Sequence, residues 1–234
     1  MFIGHYAVAL GAKRAAPQVS LGTLVLATQL IDLLWPVFLL LGLEHVRIDP
    51  GNTLMTPLDF YDYPITHSAL GALFWAGAIG GGYLAVRRSL RGAALVALVS
   101  FSHWLLDFVS HRPDLPLLPG SRERYGLGLW NSLAGSLLVE VGLFAAGIWL
   151  YARSTRPKDR VGRYGFWALV ALLAAIHAGN VFGPPPPNVK MIAYAGHALW
   201  LFVLGAYWVD RHRESRRLQA AATAPAAVVG SPVR

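Results

Sequence analysis

The sequence predicts an all-α, polytopic helical membrane protein of about six transmembrane helices plus a short N-terminal half-helix. Three observations carry this. Apolar residues make up 55% of the 234 residues and charged residues only 14%, where a soluble domain carries about 25% charged. Six apolar runs reach the length of about 20 residues that a bilayer crossing needs. The charges fall between those runs. Eight Trp and 24 Gly fit the same class, because aromatics gather at membrane interfaces and Gly is common in membrane helices. The absence of Cys excludes a disulfide framework and a thiolate site.

The elements follow in order. Residues 2–12, FIGHYAVALGA, are apolar but too short to cross. Lys13 and Arg14 follow this run instead of preceding it, unlike a signal peptide, so it reads as a retained half-helix or interfacial helix. Spans are expected near residues 21–43, 65–86, 91–110, 129–151, 165–183 and 191–209. The loop 44–64 is acidic, with Glu44, Asp49, Asp59 and Asp62 against Arg47. In the second span Ala72, Ala76 and Gly80 repeat every four residues, a face for close helix packing. The run of four prolines at 184–187 is a stiff extended connection. No internal repeat suggests an inverted-repeat transporter. Residues 1–213 are expected to form a single transmembrane domain, and the patternless residues 214–234 a disordered cytoplasmic tail.

The net charge of +8 would suggest nucleic acid in a soluble protein. Here the placement of the charges decides otherwise, and no nucleic-acid partner is expected. With six spans, one side holds Lys13, Arg14, Arg87, Arg88, Arg91, Arg153, Arg156, Lys158, Arg160, Arg163, Arg211, Arg213, Arg216 and Arg217. The other holds Arg47, Arg112, Arg122, Arg124 and Lys190. The positive-inside rule makes the first side cytoplasmic, with both termini inside. Membrane lipid is then the expected neighbour of the basic cluster that opens the tail.

Ionisable groups inside a bilayer cost several kcal/mol, so they usually face a partner or a cavity. Asp32 falls in the first span, His67 at the outer end of the second, and His103 and Asp107 in the third. His5 reaches similar depth if the half-helix rises from mid-membrane. These groups would line one pocket open to the outside. His103 and Asp107, four apart, share a helix face. The pair suits a divalent metal, and equally an Asp–His hydrogen bond. In YPITHSALG, Pro64 and Thr66 suit a helix start with Thr66 as N-cap. His67 then sits at the positive helix end, which favours a neutral, metal-binding imidazole; an interfacial His meeting water is the alternative. Glu140 reads as a base or as a structural partner of Trp130 or Asn131. His177, Asn180 and His197 read as interfacial, and His45 and His212 as solvent-facing. His111 and Asp114 lie in the loop beyond span three, within ligand reach.

Four segments in this order, Gly4-His5, Asp32 in LIDLLWP, Thr66-His67-Ser68 and Ser102-His103 with Asp107, carry a resemblance. The chain resembles the small bacterial inner-membrane proteins known as membrane-bound metal-dependent hydrolases, the LexA-binding, inner-membrane-associated hydrolases. The resemblance covers roughly residues 1–120. In that family an Asp-x-Asp-His stretch is usual; here Asp32 matches and Leu34 and Trp35 take the next two key places. The basic part before Thr-His-Ser is replaced by Asp62, Tyr63 and Pro64, and the later Thr-Pro-x-Gly by SHRPDLP. The resemblance implies a bacterial inner-membrane location and a divalent metal, zinc foremost, held by His5, Asp32, His67, His103 and Asp107. Asp107, Ser68 or Glu140 would orient the attacking water. His111, Arg112 and Asp114 would bind substrate, with Arg122 and Arg124 near a phosphate. The expected activity is hydrolysis of an amphiphilic ester or phosphoester near the outer face. A proton-coupled permease, or a non-catalytic protein that binds a cytoplasmic partner, are the competing expectations.

Overall fold

The structure, a computed structural model, describes residues 1–223. Its order is α1 (Ile3–Ala15), α2 (Leu21–Leu41), β1 (His45–Ile48), β2 (Leu58–Asp62), α3 (Pro64–His67), α4 (Ala69–Arg87) and α5 (Leu90–Ser110). There follow β3 (Leu115–Pro116), β4 (Arg124–Tyr125), a 3₁₀ turn at Leu129–Asn131, α6 (Leu133–Ser154), β5 (Thr155–Pro157) and α7 (Arg160–Phe182). The chain ends with α8 (Val189–His197), α9 (Leu199–Arg211), β6 (Arg213–Ser215) and α10 (Arg216–Thr223). Among the described residues six helical stretches are long and apolar enough to cross a membrane: α2, α4, α5, α6, α7 and the pair α8–α9. The protein is therefore an all-α, multi-pass membrane protein with a half-length α1.

The spans begin where a short polar side chain can satisfy an orphan amide. Ser20, Ser68, Ser89, Ser132, Asp159 and Asn188 each accept a hydrogen bond from the backbone N–H three residues on. Gly42, at φ 67°, closes α2 in the left-handed conformation. Thr66, expected as an N-cap, is not one. Ser68 breaks the chain between α3 and α4 and caps α4, because the Thr66 hydroxyl is engaged elsewhere.

Packing is set by small residues. Ala72, Ala76 and Gly80 are the buried residues of α4, and they face α5. A Cβ at Gly80 would stand 2.9 Å from Ala97 Cβ and 3.1 Å from Ala93 O. The short α1 is wedged among α2, α5 and α6. It approaches α6 closely enough that a Cβ at Gly147 would meet Ala7 Cα at 2.8 Å. On the lipid-facing flanks Phe74, Leu98, Leu138 and Leu201 stay exposed, as a hydrocarbon surround allows.

The last span is broken at Ala198. His197 Nδ1 donates to Ala193 O at 2.7 Å, taking the carbonyl that the next helical turn would use. At the basic end, buried Lys13 donates to Val19 O at 2.8 Å and to Asp210 Oδ2 at 2.9 Å, tying α1 to α9. β5 pairs with β6 there. Residues 214–223, expected to lack structure, belong to β6 and α10, since this pairing gives the segment a backbone partner; residues 224–234 of the expected tail lie outside the described residues. At the opposite end β1 and β2 form a hairpin and β3 pairs with β4.

Two apolar clusters divide the core. One surrounds Tyr6, Leu24, Val96 and Phe202. The other, towards the hairpins, surrounds Ile31, Trp35, Tyr63 and Trp104. The candidate site lies between them.

Candidate metal centre and its cavity

The fold brings His5, Asp32, His67, His103 and Asp107 together from four helices, although they are spread over a hundred residues of chain. His5 comes from α1, Asp32 from α2, His67 from α3, and His103 and Asp107 from consecutive turns of α5. Counted along α5, His103 and Asp107 stand roughly 20 and 25 Å from the basic end, and so in the half of the span nearer the hairpins. Asp107 is the hub. His103 Nε2 is 3.0 Å from its Oδ2, His5 Nε2 3.1 Å from its Oδ1, and His67 Nε2 and His111 Nε2 each 3.9 Å from its carboxylate. The amino group of Met1 also donates to Asp107 Oδ1 at 2.6 Å. Asp32 faces His67 Nε2 at 3.4 Å and His103 Nε2 at 3.6 Å. The rings of His5 and His103 stack with centroids 3.5 Å apart.

The outer nitrogens decide the tautomers. His103 Nδ1 lies 2.5 Å from Thr28 O. A carbonyl only accepts, so Nδ1 carries the proton. His67 Nδ1 lies 2.7 Å from Thr66 Oγ1, and that hydroxyl is 2.7 Å from Glu44 Oε2. The carboxylate takes the hydroxyl proton, so Thr66 Oγ1 accepts from His67 Nδ1–H. His111 Nδ1 lies 2.9 Å from Asp114 Oδ1, which also accepts from Tyr63 Oη at 2.6 Å. Burial first, and then the Asp114 carboxylate, push the Tyr63 hydroxyl well above the ordinary phenol range, so Tyr63 remains a donor. Three imidazoles thus give Nδ1–H to an outer acceptor and turn Nε2 towards Asp107, and His67 and His103 also face Asp32.

This is the arrangement that outer hydrogen-bond acceptors impose on metal-ligating histidines. Further observations bear on the fit of a cation. His103 Nε2 is buried and, though 3.0 Å from Asp107, has no hydrogen-bond alignment to any acceptor. His5 Nδ1 is likewise buried without a partner. Two triads, His5–His103–Asp107 and Asp32–His67–His103, have all ligand atoms within 4.8 Å of one another. A tetrahedral zinc shell of about 2.0–2.2 Å bonds sets its ligand atoms roughly 3.3–3.6 Å apart. The 3.4 and 3.6 Å separations around Asp32 meet that spacing. The residues fit a divalent cation.

The other candidates fall in different places. His111 lines the cavity beside Asp107, while Asp114 stands behind it as its acceptor. Arg112 is paired with Asp59 and lies 3.6 Å from Asp114, away from the cavity lining. Arg124 donates to Ser121 O and does not line the cavity; neither does Arg122. Ser68 Oγ accepts from Gly71 N at 2.9 Å as the cap of α4. Glu140 is buried on the cavity wall, where Oε2 accepts from Phe2 N at 2.8 Å, and it bonds neither Trp130 nor Asn131. His177 is buried on the same wall, whereas Asn180 is exposed at its edge. His45 and His212 lie outside, paired with Asp62 and Asp159.

Glu44 and the relay role of Thr66 were not foreseen. The hairpin of β1 and β2 returns the chain so that Glu44, buried at 1% exposure, accepts from Ile65 N, Thr66 N and Thr66 Oγ1. The signal was available in the turn residues Pro50-Gly51-Asn52 between two short strand-like segments.

The cavity encloses about 720 Å³, within the range of small-molecule sites. Its ionisable end carries Asp32, His67, Asp107 and His111. Its other walls are largely apolar: Trp35, Phe60 and Trp130 under the hairpins, and Ile176, Ile192 and Phe202 from α7, α8 and α9. Comparisons with protein-family models, curated proteins and solved structures find no match to this chain.

Proposed function

We propose that this protein is a membrane-embedded, metal-dependent hydrolase acting on an amphiphilic ester or phosphoester. One observation carries the reading: three histidines with outward-donating Nδ1 turn Nε2 onto two aspartates at the ionisable end of a largely apolar cavity. A divalent cation, zinc foremost, held by Asp32, His67, His103 and Asp107 with His5 beside them, would polarise the scissile group and lower the pKa of water at the site. Glu44 through Thr66, and the Thr28 carbonyl, hold His67 and His103 in the tautomer such a cation needs. Asp114 and Tyr63 do the same for His111, which stands at the cavity edge to take or give a proton. Glu140 offers a second carboxylate on the wall. The apolar walls exclude bulk water and suit a hydrocarbon chain. The resemblance to membrane-bound metal-dependent hydrolases points the same way.

The charge asymmetry supports a plasma-membrane orientation with the basic end cytoplasmic, and the resemblance suggests a bacterial inner membrane; the N-terminus, expected on the cytoplasmic side, is instead inside the bundle, where the Met1 amino group is buried against Asp107. The site then lies in the outer half of the membrane, below the outer face. The basic loops suit anionic lipid or an acidic cytoplasmic protein partner.

Elemental analysis of the purified protein beside a His103→Ala, Asp107→Ala variant tests the reading. About one zinc or manganese per chain, lost in the variant, is expected. Metal-free protein that gains no stability from added zinc would overturn it and favour a proton-coupled carrier.

A further inference from the structure

The cavity has exposed lining residues in the loops at its hairpin end, among them Pro50, Gly51, Leu54 and Pro184, and again on the wall formed by α7 and α8. Gly179 and Asn180 on α7, and Met191 and Ala195 on α8, line the cavity and are exposed. Exposed residues in the lining of a cavity mark a mouth. A Cβ at Gly179 would meet nothing within 4 Å. α7 packs chiefly on α9, and α8 on α2, so the main support of these two helices comes from behind. Both belong to membrane-span candidates, so the mouth opens sideways into hydrocarbon. Counted along the helices, Gly179 lies roughly 5 Å and Ala195 roughly 9 Å from the hairpin-side ends. Lipid ester linkages and the first methylenes lie at that level.

Just inside the mouth stands His177. It is 5% exposed, and neither ring nitrogen has a hydrogen-bond partner. A buried polar group without a partner costs about 1–3 kcal/mol, and a ligand polar group in the cavity would remove that cost. Beyond His177 lie Glu140 and the aspartates; beside it run Ile176, Ile192 and Phe202.

We propose that the cavity takes a bilayer lipid through the lateral mouth between α7 and α8, its chain against Ile176, Ile192 and Phe202 and its polar group on His177. As an assignment of substrate class this rests on the hydrolase reading; as a binding site it stands apart from it. No sequence motif marked this wall, which belongs to the part of the chain outside the resemblance.

The test uses full-length protein in vesicles of phosphatidylcholine carrying a photoactivatable diazirine on one acyl chain, with adducts mapped by mass spectrometry. Phe202 and Ile192 are 7% and 9% exposed, so a chain reaches them only from within the cavity. Adducts are expected there as well as on the exposed Leu172 and Trp200. Gly179→Trp, with Ala195→Trp as a second block should the first not fold, should abolish the inner adducts and keep the outer ones. His177→Leu should cut the inner yield about tenfold, the loss of one hydrogen bond of about 1.4 kcal/mol. Adducts confined to the outer residues, or inner adducts indifferent to both blocks, would overturn the proposal. An unchanged yield in His177→Leu would remove that residue from it. Metal content measured on the same samples separates the two readings. Inner adducts on metal-free protein sink the hydrolase and keep the lipid site. Metal-loaded protein without inner adducts does the reverse.

Discussion

Thr66→Val tests whether the buried relay exists to hold a metal. The substitution keeps the shape of the side chain and removes one oxygen. Glu44 then keeps its bonds from Ile65 N at 2.7 Å and Thr66 N at 2.8 Å, and loses the hydroxyl at 2.7 Å. His67 loses the acceptor of its Nδ1–H, also at 2.7 Å. His67 is 4% exposed, so water cannot readily replace that acceptor. An orphaned buried donor costs about 1–3 kcal/mol in stability. The larger consequence is for the ligand: with nothing fixing Nδ1 as the protonated nitrogen, Nε2 is no longer held as a lone pair towards Asp32. Removing such a partner lowers metal affinity about 10–100-fold, or about 1.4–2.8 kcal/mol. Zinc affinity is measured by competition with a chromogenic chelator in detergent, and apo-protein stability by thermal denaturation. Ser132→Ala, which removes the cap of α6, serves as the control. It should cost about 1 kcal/mol of stability and leave zinc affinity unchanged. A Thr66→Val protein that binds zinc within twofold of the wild type would refute the reasoning, as would an equal loss of affinity in the control.

Three further outcomes are expected. Gly80→Val should cost about 1–3 kcal/mol by overpacking α4 against Ala93 and Ala97 of α5, read from denaturant titration in mixed micelles. Lys13→Met should cost about 3–5 kcal/mol in the same assay, because it leaves Asp210 as an uncompensated, largely buried charge; the added Asp210→Leu should recover most of that, and no recovery would show that Lys13 matters only through Val19. The His212 ring, with the Gly162 amide, holds the Asp159 carboxyl below its ordinary value of 3.8. A depressed carboxyl contributes stability that is present above about pH 4 and is lost as pH falls through the native value. Amide exchange at Gly162 and Arg163, corrected for intrinsic rates, should therefore accelerate below pH 4, and Asp159→Asn should remove that acid dependence.

Much of the frame was legible because the bilayer imposes length on every crossing. The six apolar runs match the spans to within a few residues at most ends, and Ala72, Ala76 and Gly80 mark a helix contact by size alone. The break at Ala198 was not legible, since it comes from the His197 side chain reaching Ala193 O and not from Pro or Gly. The site separates similarly. His5, Asp32, His67, His103 and Asp107 stood out as ionisable groups within or beside apolar runs, which need a reason to be there. Glu44 did not, because in a polar loop a carboxylate needs none; only the hairpin shows that it is buried beneath His67. Arg112 looked available for a phosphate from its loop position, yet Asp59, brought across by β2, engages it. Spacing along a helix is local information, whereas pairing between loops depends on how strands return.

The wedge position of α1 carries a consequence for biosynthesis. This helix leaves the ribosome before the surfaces that seat it: α5 supplies His103 and Asp107, α6 supplies Gly147, and α9 supplies Asp210. Between its synthesis and that of residue 210 it has no completed berth. Its contact with Asp107 waits for α5, and its contacts with Phe202, Asp210 and Arg217 close only after most of the bundle is in the membrane. The constellation around Asp107 is therefore synthesised by the end of α5, while the walls from α6, α7 and α9 come later. A chain halted after α5 would hold all five clustered ligands with no surface from α6, α7 or α9 to keep them apart from water.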